Sequence, residues 1–435
     1  MVPLYNACSK KQLRKKFLNK YSKRDIENTL ADFDKVAQKS KPIKYKKSNI
    51  TYKCLHNALD AIKIYITDSC NLNCKYCFLP DQLKRKHMGN MTEAVAQQVI
   101  DFTLKHISLK EISITFCGGE PLLNYKTLKL IIDACETNAK KNKRKFYYSL
   151  TTNGTLLCQE IINYFTKNKV NLTISLDGNK TAHDASRKFS NGKGSHEHII
   201  NMLNKLQLSN KRYFKKYVSF ITVITPQNPN YLDRYKYFNN LGITNVDYDL
   251  VAETSDFKLS DKEKKTINAN RNQFDTFLAH EIILGNFKKI NYEMPYSKVI
   301  EQIMFPQKAI LPCSVGIDVI AIDVDGTIYP CAPFVGNLNF SIGHITEGVD
   351  FNKTFSFYNK QNIVTKKCYN CWALHFCPSW LCLYALSKEN NGLKKPSEKE
   401  CRSIRDWALR GLKFYIKTHR QNPKSFINWS KHIEL

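Results

Sequence analysis

From residue 62 to residue 251 apolar stretches of strand length alternate with amphipathic stretches of helix length, and this alternation narrows the possible folds more than any other feature. The candidate strands are Ile62 to Thr67, Ile112 to Phe116, Phe146 to Thr151, Leu172 to Leu176, Val218 to Thr225 and Val246 to Val251. Helical periodicity marks Thr92 to Ile107, Tyr125 to Ala139, Gln159 to Lys167, Ser195 to Leu208 and Asn230 to Leu241 between them. Strands in such a succession form a parallel sheet, because each helix carries the chain back to the edge where the next strand starts. In barrel-like folds of this kind the chemistry gathers at the C-terminal ends of the strands. The residues just after each strand are therefore the ones that bear on function.

After the first strand comes Cys70-Asn-Leu-Asn-Cys74-Lys-Tyr76-Cys77-Phe78. Three thiols so close together can hold three corners of a 4Fe-4S cubane, whose irons take cysteine thiolates, and one iron is then left without a protein ligand. A zinc site, which would need a fourth local ligand, and a chance grouping are the competing readings. After the second strand stands Phe116-Cys117-Gly118-Gly119-Glu120-Pro121. Paired glycines let a backbone approach a bound ligand, and a carboxylate beside them can accept hydrogen bonds from an ammonium group. Thr151-Thr152-Asn153-Gly154 ends the third strand and Ser175-Leu-Asp177-Gly178 the fourth. Their short polar side chains suit ribose hydroxyls and a carboxylate, although Asn-Gly and Asp-Gly are also common turn dipeptides.

Taken in register, these residues resemble the signature of the radical S-adenosylmethionine (SAM) enzymes: C-x3-C-x2-C with an aromatic before the last cysteine, then Gly-Gly-Glu after the second strand. The resemblance implies an α/β fold built on a partial (βα)6 barrel. It assigns Cys70, Cys74 and Cys77 to a 4Fe-4S cluster whose open iron chelates the amino and carboxylate groups of SAM. An electron from that cluster splits SAM into methionine and a 5'-deoxyadenosyl radical. It places Tyr76 beside the adenine, and Gly118, Gly119 and Glu120 at the methionine amino group. Thr152, Asn153, Ser175 and Asp177 would line the SAM site, and Arg187 would meet the SAM carboxylate by a bidentate contact.

Fifteen cysteines in a chain read as cytosolic point to metal rather than disulfides. Cys313 and Cys331 flank a stretch, Val319 to Pro330, that predicts a hairpin about Asp325-Gly326. Cys368-x2-Cys371-x5-Cys377-x4-Cys382 and then Cys401 follow. A zinc ribbon is the competing reading for Cys368 and its neighbours, but seven cysteines exceed one zinc site. Their order resembles the SPASM domain, which holds two auxiliary 4Fe-4S clusters. That resemblance assigns Cys313, Cys331 and Cys382 to the first and Cys368, Cys371, Cys377 and Cys401 to the second. Four residues, Pro378 to Leu381, stand where the usual pattern has three. With three thiolates, the first auxiliary cluster is expected to keep an open iron for a substrate thiolate. Cys8, Cys54, Cys117, Cys135 and Cys158 are read mostly as small buried hydrophobes.

The segments expected are a basic helical N-terminal extension (1–60), the barrel (61–251), a helical bridge (252–312), the SPASM domain (313–401), and a C-terminal helix and tail (402–435). A helix capped by Ser22 is expected in the extension, Lys262 to Leu284 in the bridge, and Ser403 to His419 in the tail. Peptide-modifying members of the family often begin with a winged-helix module, and the strands of one are not legible here. No run approaches the roughly 18 apolar residues of a membrane span, and the basic N-terminus lacks the apolar core of a secretory signal. The expected location is the cytoplasm.

Net charge is +29, and the first fifty residues carry 14 Lys/Arg against 4 Asp/Glu. Such a balance suits an acidic peptide or a nucleic acid, and it also fits a lysine-rich solvated surface. The absence of an aromatic RNA-binding signature such as RNP1 speaks against nucleic acid. By resemblance, the function expected is a radical SAM/SPASM oxidoreductase that matures a ribosomally made precursor peptide, by a thioether or else a carbon–carbon cross-link. Its expected partners are that precursor peptide, a flavodoxin or ferredoxin-type electron donor, and a separate leader-peptide-recognition protein. The alternatives are an anaerobic sulfatase-maturing enzyme and a radical SAM RNA-modifying enzyme. Sulfatase-maturing members carry an aspartate, as base, directly after the second SPASM cysteine, where this chain has Ala332. No other residue offers itself as the general base.

Overall fold

Ten strands share one sheet in the computed structural model, which describes residues 22–24, 27, 59–79, 88–106, 111–253, 258–287, 296–304, 316–354, 371–377 and 398–432. The strands are β1 (Ala61–Thr67), β2 (Glu111–Gly118), β3 (Lys145–Thr152), β4 (Asn171–Ser175), β5 (Val218–Ile224), β6 (Val246–Leu250), β7 (Val319–Ile322), β8 (Thr327–Tyr329), β9 (Gly343–His344) and β10 (Gly348–Val349). Their order across the sheet is β10-β9-β8-β7-β1-β2-β3-β4-β5-β6. From β1 to β6 every neighbour is parallel and sequential, with pairs such as Ile64 with Phe116 and Ile114 with Tyr148. Crossovers of one hand between sequential strands put their helices on one face of the sheet.

Those helices are α1 (Glu93–His106), α2 (Tyr125–Asn142), α3 (Gln159–Asn168), α4 (Lys180–Asp184), α5 (His196–Ser209), α6 (Lys211–Tyr217) and α7 (Tyr231–Asn240). The strands bury alternate residues, among them Ile64, Ile114, Tyr148, Leu150, Ile174 and Phe220. A parallel sheet covered by helices on both faces would read as unbroken apolar runs. Here the second face carries hydroxyls that pair across strands, Thr115 with Ser149 and Thr173 with Ser219, each at 2.9 Å. At the β6 edge Tyr248 stacks on Tyr231 of α7 and on Phe274 of α8 (Asp261–Leu284). Helix α8 starts with a Ser260/Glu263 capping box and ends at Gly285, whose φ of 82° closes the last turn.

The hairpin expected around Asp325-Gly326 is β7 and β8, paired antiparallel with Gly326 at φ 91°. Its attachment was not foreseen: β7 lies parallel to β1, Ile62 opposite Ile320, so β1 has neighbours on both sides. The chain divides into two compact units, and residues 314–356 belong with the parallel strands. That unit comprises Ile50–Pro295, Ser314–Ser356 and Ile416–Leu435. The other comprises Met1–Asn49, Tyr296–Cys313 and Phe357–Tyr415, and holds α9 (Ser297–Met304) and most of α10 (Glu398–Gln421). There Gly411 packs so closely on Val299 that a Cβ would come within 2.8 Å of its side chain. The periodicity did not show α6, or α11 (Pro423–His432), where Phe426 and Trp429 are fully buried. The expected helix from Ser22 falls mostly outside the described residues. Among the described residues no helix is long and apolar enough to cross a membrane.

Candidate functional site: the cysteine loop at the strand ends

Strand β1 hands over to the cysteine loop through a tightly bonded junction. The Thr67 hydroxyl donates to Asn90 Oδ1 at 2.6 Å and accepts the Ser69 amide at 2.9 Å. From β2, the Gly119 amide donates to Thr67 O at 3.0 Å and the Glu120 amide to Ser69 O at 2.8 Å. A Cβ on Gly118 would stand 2.1 Å from Thr67 O, and one on Gly119 2.3 Å from Ser69 O. The sequence suggested that these glycines admit a ligand. In the fold they also give room to the protein's own backbone, and let β2 clamp the residues that precede Cys70.

Glu120 is 1% exposed, and its carboxylate is held from three sides. Oε1 accepts from the Leu122 amide at 3.1 Å and the Thr152 hydroxyl at 2.7 Å, and Oε2 from the Asn153 amide at 2.7 Å. Burial pushes its pKa up, while these donors and the Arg187 charge work against that push. Asn153 in turn donates to Asn71 Oδ1 at 2.8 Å and turns the same Nδ2 toward Cys70 Sγ at 3.8 Å. Asn71 donates to the Thr155 hydroxyl at 2.8 Å, and Thr155 donates to Asn153 Oδ1 at 2.7 Å. The end of β3 thus holds the cysteine loop through Asn71 and Thr155, two residues that sequence reasoning missed. Nothing in their types or spacing sets them apart from ordinary turn residues.

The end of β4 contributes a buried ion pair. Asp177 Oδ2 accepts Arg187 Nε at 3.0 Å and also the Tyr76 hydroxyl, while Oδ1 accepts the Val223 amide at 2.8 Å. The guanidinium lies 5.3 Å from the centre of the Tyr76 ring and turns Nη1 toward Cys74 Sγ at 4.0 Å. Although burial opposes it, the Arg187 charge with these donors holds the Asp177 carboxyl below its ordinary range. His183, also missed, fixes the pair from behind. Its Nδ1 accepts the Asp177 amide at 3.1 Å, so the proton is on Nε2, which donates to Ser195 Oγ at 2.9 Å. Ser195 passes the bond to Arg187 O at 3.1 Å. Burial pushes His183 down to about 3, which keeps the ring neutral in this role. Arg234 closes the network with Nε on Asp177 O at 3.2 Å. Ser175 is buried at the last position of β4, opposite Ile221 of β5.

The fold therefore gathers Cys70, Cys74, Cys77, Tyr76, Gly118, Gly119, Glu120, Thr152, Asn153, Asp177 and Arg187 at one end of the sheet. Burial pushes the Cys74 thiol up to about 11; Arg187 opposes this, and charge on Cys70 or Cys77 would add to it. Among the described residues no three His, Cys, Asp or Glu side chains already stand at metal-ligand spacing. The fit to an iron–sulfur cluster rests on donor chemistry. Three thiols share one loop, and N–H groups of Leu72 and Asn153 aim at Cys70 Sγ, with Arg187 at Cys74 Sγ.

In the sheet-bearing unit Cys331 follows β8 and is half-buried. In the other unit Cys371 and Cys377 bracket the short turn Leu374–Phe376, and Cys401 lies in α10. The hydrogen bond to Glu398 raises the Arg405 pKa, and charge on Cys371 or Cys401 would add to this. Cys313, Cys368 and Cys382 lie outside the described residues, as do Cys8 and Cys54. Cys135 is buried as expected and Cys117 half-buried, whereas Cys158 is exposed at the start of α3.

Residues 64–236 match the model of the radical SAM superfamily. The chain is 27% identical to the radical SAM cyclopropyl synthase TigE of Paramaledivibacter caminithermalis, over 79% of this chain and 72% of that one. It is 30% identical to the uncharacterized protein MJ0907 of Methanocaldococcus jannaschii, over 52% and 73%. With the cysteine-type anaerobic sulfatase-maturating enzyme of Clostridium perfringens it shares 27% identity over 75% and 90%. Among solved structures, native anSMEcpe with bound AdoMet superposes with a TM-score of 0.66 at 20% identity, over 85% of this chain and 99% of that one. Streptococcus suis SuiB bound to its precursor peptide SuiA superposes with a TM-score of 0.56 at 16% identity, over 87% and 80%.

Proposed function

This chain belongs to the radical SAM superfamily, and on that premise we propose that it matures a ribosomally made precursor peptide by joining a cysteine sulfur to a carbon. Enzymes of this superfamily use a 4Fe-4S cluster and SAM, which when bound supply a 5'-deoxyadenosyl radical able to take hydrogen from carbon. Cys70, Cys74 and Cys77 would hold the cluster. Gly118, Gly119 and Glu120 clamp the root of their loop, Thr152 and Asn153 hold its start, and Asp177 with Tyr76 holds its end. Tyr76, Ser175 and Asp177 would line the SAM site. Cys331 with Cys313 and Cys382, and Cys371 with Cys368, Cys377 and Cys401, would carry two auxiliary clusters. Cys371, Cys377 and Cys401 belong to one compact unit, which supports the second of these sets.

One observation favours cross-linking over formylglycine formation. Position 332 is tied to β1, where the Tyr65 hydroxyl donates to Ala332 O at 3.3 Å. It brings a methyl group to that place, with no carboxylate to take a proton. The sulfatase-maturating relative keeps that activity in view as the second reading. Joining sulfur to carbon removes one hydrogen from each. Anaerobically reconstituted enzyme, given SAM, a strong reductant and a cysteine-bearing precursor, is expected to lower the peptide mass by one hydrogen pair per cross-link. High-resolution mass spectrometry with fragmentation reads this directly. A peptide that instead gains a hydrazine-reactive aldehyde at cysteine assigns the chain to the second reading.

A further inference from the structure

The open face of the sheet carries a carboxylate that has no part in the network around the cysteine loop. In β6, Tyr248 turns to the helices, where it stacks on Tyr231 and Phe274. Side chains alternate along a strand, so Asp247 and Asp249 turn to the other face, the one on which Thr173 pairs with Ser219. Asp249 stands opposite Val223 of β5, whose amide donates to Asp177 Oδ1 at 2.8 Å. It is therefore level with Asp177 and two strands along from it, about 10 Å at the usual strand spacing. Asp249 is exposed, yet protein crowds its carboxyl closely enough to push the pKa up, and no donor or cation acts against that push. A group that solvent reaches and protein surrounds stands on the wall of a cleft.

Other described carboxylates at this end of the sheet are already occupied. Glu120 and Asp177 each accept three donors. Asp68 and Asp323 are buried and accept the amides of Met88 and Val324. We propose that Asp249 is the general base of the cross-linking reaction, and takes the proton of the substrate cysteine thiol as its sulfur joins carbon. It would supply from β6 the proton acceptor that Ala332, tied to β1, does not provide. A raised carboxyl pKa stands nearer to that of a thiol, which makes the transfer less uphill. The step balances as follows. The C–H bond breaks and its hydrogen atom goes to the 5'-deoxyadenosyl radical, the S–H bond breaks and its proton goes to Asp249, and the S–C bond forms. One electron is left over and leaves to an oxidised 4Fe-4S cluster of the auxiliary set.

The inference rests on the cross-linking reading of the function. The experiment compares reconstituted wild type, Asp249→Asn and Asp249→Glu, each given SAM, a strong reductant and a cysteine-bearing precursor deuterated on carbon. Deuterium in 5'-deoxyadenosine reports hydrogen abstraction, fragmentation mass spectrometry counts cross-links, and fluorescence anisotropy of labelled precursor gives its affinity without turnover. Asp249→Asn is expected to slow cross-linking about a hundredfold while deuterium transfer and precursor affinity stay within about threefold of wild type. Asp249→Glu should recover to within about tenfold of wild type, and the wild-type rate should fall with pH along an acid limb that Asp249→Asn lacks. Should Asp249→Asn not fold, Asp249→Ser removes the same carboxylate and is read in the same way. Cross-linking by the neutral variant within about threefold of wild type, or a loss of deuterium transfer or precursor affinity in the same proportion as cross-linking, overturns the inference. Wild type that forms no cross-link refutes the cross-linking reading instead.

Discussion

His183 shows how much of this site is held by groups buried behind it. The ring is 0% exposed, accepts the Asp177 amide and donates to Ser195, so the folded protein has room only for its neutral form. Burial lowers its pKa from 6.5 to about 3, and in that interval the unfolded chain takes up a proton that the native state refuses. Its contribution is therefore present above pH 6.5 and drains away as the pH falls toward 3, by at most about 1.4 kcal/mol per pH unit. Urea unfolding at pH 7 and pH 5 should show wild type losing stability on acidification. His183→Gln should be weaker at pH 7 and flatter between the two. At this scale the sequence singled out these positions but not the protein groups that hold them. Gly118, Gly119, Asp177 and Arg187 could be picked out by their places after strands. That they answer to Thr67, Ser69, Tyr76 and Cys74 depends on strand pairing that no local pattern encodes.

The ends of β1 and β2 form a joint in which two backbones pass closer than side chains allow. Gly119→Ala would put a Cβ 2.3 Å from Ser69 O, against backbone that cannot rotate away as a side chain would. The expected cost is about 1–3 kcal/mol, the range for overpacking. Its visible effect is a displaced cysteine loop, with iron content after reconstitution falling below half of wild type while far-UV circular dichroism is preserved. The six parallel strands were legible because each alternates cleanly and each is followed by a helix-length pattern. Attachment of β7 to β1 was not legible, since a short apolar strand such as Val319–Ile322 carries no mark of which neighbour it joins. Helix α11 escaped because Pro423 reads as a terminator, whereas here it occupies the first position of a new helix.

Over the whole molecule the excess of 67 Lys and Arg over 38 Asp and Glu makes association with an acidic precursor faster at low salt. If the substrate is such a peptide, raising the ionic strength from about 0.05 to 0.5 M should raise its KM severalfold with little change in kcat, as screening shortens the reach of the surface charge. Steady-state kinetics on peptides of equal length and opposite charge would check this, and equal salt dependence for both would count against steering. The sheet also decides where the chemistry is mounted. Because β1 is flanked by β2 on one side and β7 on the other, its amides are shielded twice over and belong among the last to open in native-state breathing. The strand that carries the cysteine loop is thus a post set in the middle of the wall instead of at its rim.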